Sequence, residues 1–154
     1  MRRRELFATA LAAGLAAPAA ARGRDRDSDI LRGLIAREDA AAIAYRGKGV
    51  PGVGDPVAQD EDHAKALRTE LQGLISPGQP PTSPDDLDPV ARRLSDAHGE
   101  RARAAAIALE TDLVAAYREA LLGITEPAIL QTAATILACH AQRRALLRAA
   151  SYPP

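Results

Sequence analysis

The chain has 154 residues, 47% of them hydrophobic, which suffices for one domain with a buried core. Aromatic residues make up only 3% and alanine dominates the apolar set, so an all-helical domain with close helix contacts is expected. Twenty basic residues balance twenty acidic ones, a neutrality that argues against a nucleic-acid or acidic-membrane partner.

The first 21 residues read as an export signal. Arg2, Arg3 and Arg4 make a basic start, Phe7 to Ala17 an Ala-rich apolar run, and Ala19 to Ala21 a small-residue cleavage site. The expected location is therefore the periplasm or the cell exterior. The apolar run is too short to span a bilayer, so no transmembrane helix is expected in the mature chain. Arg3-Arg4-Glu5-Leu6-Phe7 resembles a twin-arginine export signal, although no Ser or Thr precedes the arginine pair. Cys139 is the only cysteine, which excludes an intrachain disulfide.

Residues 22–28 read as a polar linker, with Ser28 as N-cap of a first helix from Asp29 to Arg46. The seam of that helix is Leu31, Leu34, Glu38, Ala41/Ala42 and Tyr45, at the 3-4 spacing of one face. Glycines between Gly47 and Gly54 make a loop, and Pro56 opens a second helix. Its seam is Asp60, His63/Ala64, Leu67, Leu71 and Leu74. Four prolines between Pro77 and Pro84 make an extended connection. A third helix begins between Asp88 and Ser95, carries Ile107, Glu110, Val114, Tyr117 and Leu121, and stops at Gly123. Pro127 opens a fourth helix after a capping Thr125, with the seam Ile129, Ala133, Ile136, His140, Arg143 and Leu147. Two short connections and a long middle one predict two antiparallel helix pairs joined by a crossover. The predicted bundle occupies residues 29–150.

Ionisable residues thus sit on every apolar seam: Glu38, Asp60 with His63, Glu110, and His140 with Arg143. On a core face they must find partners or they destabilise the fold. The pattern also repeats. Glu38 with Tyr45-Arg46 matches Glu110 with Tyr117-Arg118, while Asp60 aligns with His140 and His63 with Arg143. The pairing of ionisable seam positions in both halves points to duplication. His98 lies in a charged stretch and reads as surface, and Cys139 reads as a core thiol.

The motifs Ala36-Arg37-Glu38-Asp39-Ala40, Asp62-His63-Ala64-Lys65-Ala66-Leu67-Arg68, Ala108-Leu109-Glu110 with Tyr117, and Ile136-Leu137-Ala138-Cys139-His140 together resemble an exported bacterial ferritin-like domain protein. The resemblance runs over about residues 29–149. It implies a ferritin-like four-helix bundle with a dimetal carboxylate site. In such sites two helices each give a Glu and the other two each give Glu-x-x-His. Glu38 and Glu110 fall at the Glu positions, and Asp60-x-x-His63 replaces one Glu-x-x-His. His140-x-x-Arg143 departs from the other, and Arg143 has no lone pair for a metal.

The resemblance therefore implies a degenerate site for one divalent ion. Iron, manganese and zinc all suit the ligands Glu38, Asp60, His63, Glu110 and His140. Arg143 would replace the second metal: three carboxylates and one guanidinium leave a charge that one dication neutralises. No catalytic residues are assigned, and His140 and Arg143 argue against a dimetal oxidase or catalase. The alternative is a metal-free helical interaction or stress-associated protein with a buried Arg143–carboxylate network. The expected assembly is a monomer or homodimer.

Overall fold

Proline and glycine punctuate the chain where its helices turn. The computed structural model describes residues 6–50, 52–74, 85 and 87–150, with side chains from Arg22 onward. Five helices follow in order: α1 (Leu6–Tyr45), α2 (Pro56–Gln72), α3 (Pro89–Asp96), α4 (Glu100–Gly123) and α5 (Pro127–Ala149). No strand occurs among the described residues, so the all-α expectation holds. The expected extended connection at 77–84 lies outside the described residues.

Local chemistry explains most boundaries. Pro56 and Pro89 open α2 and α3, where a missing N–H costs nothing. Asp55 accepts a bond from the Ala58 N–H, and Asp88 accepts from Val90 and Ala91. Gly47, at φ +70°, turns the chain out of α1.

Three boundaries differ from expectation. Residues 22–28 are no linker, and Ser28 is no cap, because α1 runs through both. The segment contains no proline to stop it, and Asp27 and Ser28 turn inward as buried residues. The expected third helix is two helices, broken at Ala97-His98-Gly99, where Gly99 takes φ +56°. Thr125 does not cap α5 with its own side chain. Asp27 of α1 accepts bonds from the Thr125 and Glu126 N–H groups and from the Thr125 hydroxyl, each at 2.9 Å. That tertiary cap ties α1 to the α4–α5 turn and satisfies donors left free at a helix start.

The helices pair as α1 with α2 and α4 with α5. α1 with α4 and α2 with α5 close the bundle, while α3 packs across α1 and α4. The apolar interior forms two clusters. One gathers Ala41, Ala44, Leu94, Ala106, Leu109, Leu113 and Leu147 around α3. The other gathers Leu31, Leu34, Leu67, Tyr117, Ile129 and Ile136 toward the opposite end. Each fully buried Leu or Ile contributes about 1.5–3 kcal/mol. Along α1, α2 and α5 the ionisable seam residues fall between these clusters, as a polar layer within the core. Among the described residues no helix is long and apolar enough to cross a membrane.

Candidate metal centre

Four helices deliver this polar layer. α1 supplies Glu38 and Tyr45, α2 supplies Asp60 and His63, α4 supplies Glu110 and Tyr117, and α5 supplies His140 and Arg143. Glu38, Asp60, Glu110 and His140 have no exposed surface, and Arg143 has 3%. The His63 side chain keeps 13% and forms the rim. All six seam positions singled out from the sequence converge.

His140 is the centre of the layer. Its Nδ1 lies 2.9 Å from Glu110 Oε2, and its Nε2 lies 2.9 Å from Glu38 Oε1. Burial works against charge on this ring, but the two carboxylates outweigh it and push the His140 pKa up to about 10. Glu38 is held in turn by the Tyr117 hydroxyl, which donates to Oε1 at 2.6 Å, and by His63 Nδ1, 3.2 Å from Oε2. Burial alone would raise the Glu38 pKa, yet its contacts with His140 and His63 bring it down to about 2.

Arg143 organises the other side. Its Nη1 donates to Asp60 Oδ1 at 2.7 Å and to Glu110 Oε1 at 3.0 Å, and its Nη2 donates to Gln59 Oε1 at 2.8 Å. The guanidinium carbon sits 5.6 Å from the Tyr45 ring centre, within cation–π reach. The Tyr45 hydroxyl donates to Glu110 Oε1 at 2.7 Å. Burial opposes ionisation of Glu110, but the His140 bond and the Arg143 charge hold its pKa below the ordinary value. Burial disfavours charge on Arg143 as well; Asp60 and Glu110 reverse that and strengthen its hold on the proton. Burial and the adjacent carboxylates Glu110 and Glu38 keep Tyr45 and Tyr117, respectively, protonated.

Asp60 is the least satisfied member. Burial pushes its pKa up to about 8 against the pull of Arg143, and the Glu38 charge adds to the rise. Its Oδ2 is buried and has no hydrogen-bond partner. A buried acceptor without a partner is costly and rare, and it marks a place where another group fits. Glu38, Asp60, His63 and His140 each offer one ligand atom, and those atoms lie within 4.8 Å of one another. Two carboxylates and two imidazoles form a donor set that suits a divalent transition metal. On both counts the residues fit a metal ion.

Glu110 lies on the far side of His140, facing Arg143 and Tyr45, and is not among those four. His98 is exposed, as expected, and Cys139 is partly buried on the flank of α5. Asp27 and Gln59 are the polar residues that sequence reasoning passed over. Asp27 was signalled by its spacing, one helical turn before Leu31 on the α1 seam.

A bundle of paired helices with carboxylates and histidines converging on its axis is the architecture in which metal sites of bundle proteins are built. The family model for a ferritin-like domain matches residues 52–153, and the chain belongs to that family. The match takes in α2 through α5, with Asp60, His63, Glu110, His140 and Arg143. Comparison with curated proteins and with solved structures gives no match.

Proposed function

We propose that this ferritin-like protein is exported and holds a single divalent ion on Glu38, Asp60, His63 and His140. The observation that carries the reading is that Glu38, Asp60, His63 and His140 each bring one ligand atom within 4.8 Å of the others, and the buried, unpartnered Asp60 Oδ2 supports it. Charge is consistent with it once an ion displaces the Asp60 proton and one proton of His140: Glu38, Asp60 and Glu110 then total −3, Arg143 adds +1, and one dication brings the sum to zero. A second dication would leave the core with uncompensated charge. Iron, manganese and zinc are the candidates. A bound ion supplies a Lewis-acidic centre and positive charge that draws α1, α2 and α5 together.

The chain's own residues do the rest. Tyr117 orients Glu38, Arg143 holds Asp60 by its other oxygen, and His63 closes the site at the rim. No catalytic step is assigned to these residues. Arg143 sits beside the carboxylate that a second metal would need, which disfavours paired-metal oxidase or catalase chemistry. Export rests on the three-part pattern of residues 1–21 and is tested by cell fractionation with N-terminal sequencing. Intact protein in the cytoplasmic fraction would count against it.

The test of the site is metal content of the protein purified without chelator, with cobalt titration into the chelated protein. One metal per chain is expected. Two per chain with rapid iron oxidation would overturn the mononuclear reading. A second reading draws on the contacts of His140 and Arg143, which already satisfy Glu38, Glu110 and one oxygen of Asp60. It makes the cluster a metal-free network in an interaction protein. Under it, chelator leaves the melting temperature unchanged and no cobalt binds.

A further inference from the structure

Resting on the single-ion reading, we infer that Glu110 is a positioning residue that fixes His140 for the metal and is not itself a ligand. Three protein donors already hold its two oxygens. Tyr45 and Arg143 donate to Oε1 at 2.7 and 3.0 Å, and His140 Nδ1 faces Oε2 at 2.9 Å. Glu38 also has three partners, but two of them are ring nitrogens of His63 and His140. An imidazole nitrogen can exchange its proton for a metal bond, and a guanidinium cannot. The Glu38 side of His140 can therefore open to an ion, while the Glu110 side is closed by Arg143.

Glu110 keeps the proton on His140 Nδ1 and directs the Nε2 lone pair toward Glu38, Asp60 and His63. Metal-bound histidines commonly donate their other ring N–H to a carboxylate in this way. Arg143 and Tyr45 hold that carboxylate in place. The duplicated halves are thus used differently: one Glu faces the ion, and its counterpart faces the back of the ligand.

Cobalt titration of the full-length chain, followed by absorption spectroscopy, tests this with Glu110→Gln beside Asp60→Asn as a ligand control. Glu110→Gln is expected to bind one cobalt with an unchanged ligand-field spectrum and about 10–100-fold weaker affinity. Asp60→Asn is expected to change the spectrum or abolish binding. A spectrum for Glu110→Gln that shows loss of a carboxylate ligand would overturn the inference. Long-range nitrogen–proton NMR of the zinc-loaded wild type decides it without any variant. A proton on His140 Nδ1 supports the positioning role, and a proton on Nε2 overturns it. Wild-type protein that binds neither metal overturns the single-ion reading and this inference with it. Wild-type protein that binds zinc through Nδ1 overturns the inference alone.

Discussion

The α1–α2 half and the α4–α5 half place equivalent residues at equivalent points, and the outcomes diverge. Glu38 in one half accepts a hydroxyl bond from Tyr117 in the other, and Glu110 accepts one from Tyr45. His63 pairs with Glu38 as Arg143 pairs with Glu110. These reciprocal bonds are what a duplicated helix pair folded about a pseudo-twofold axis would produce. The difference lies in one side-chain class. His63 is an imidazole with a ring nitrogen that can coordinate a metal, and Arg143 is a permanent cation with no lone pair to give. Backbone position brings the groups together, and residue chemistry decides whether a half can receive an ion.

Removing Arg143 should break this comparison most severely. Arg143→Ala leaves Asp60 and Glu110 buried without their cation, and a loss of about 3–5 kcal/mol is expected in urea unfolding at neutral pH. His63→Ala, its counterpart at the rim, should cost only about 1–2 kcal/mol. Equal losses in the two variants would show that Arg143 is no more embedded than His63.

The two tyrosines sharpen the reciprocity. Tyr45→Phe and Tyr117→Phe each remove a buried donor to a carboxylate, and each should destabilise by about 1.5–3 kcal/mol. A double variant whose loss exceeds the sum of the singles would show that the halves act as one network. A Tyr117→Phe protein as stable as wild type would remove Glu38 from the reciprocal scheme.

Protonation adds a test with a defined sign, read on chelated protein. Asp60 rises from 3.8 to about 8, and His140 from 6.5 to about 10. Both bind protons more tightly when folded, so their stabilisation is complete below the unfolded values and lost as pH rises through the folded ones. Glu38 falls from 4.5 to about 2, so its stabilisation is present above 4.5 and lost as pH drops toward 2. Denaturant midpoints should therefore be highest at about pH 4, between the unfolded values of Asp60 and Glu38, and fall from there toward pH 10. A flat profile from pH 5 to 9 would refute the charge assignment at His140 and Asp60.

The smallest expected effect lies at the far end of α1. Asp27→Ala removes the cap on the α4–α5 turn and should cost about 1–2 kcal/mol. Metal affinity should not change, since Asp27 touches none of the cluster. A change in cobalt affinity would show that the α1 docking point and the site are coupled.

Helical periodicity made much of this protein legible in its sequence. Glu38, Asp60, Glu110, His140 and Arg143 lie on apolar seams, and all five are buried. Seam spacing dictates which face a residue occupies, and an apolar face has to be covered. The same rule reached Asp27, but the charged residues around it read as a linker. The break at Gly99 was hidden because α3 is only eight residues long, about two turns, which is too short for its apolar face to mark it off as a separate element.

By itself the sequence determined the helical class, the paired arrangement and the polar layer, because spacing and punctuation are local properties of the chain. Only the tertiary structure decided the partners. That His140 points one nitrogen at each Glu, that Arg143 spans Asp60 and Glu110, and that Asp60 keeps an open oxygen all depend on how four helices are rotated against one another. Rotation and register arise from packing between helices distant in sequence, and no spacing within one helix encodes them.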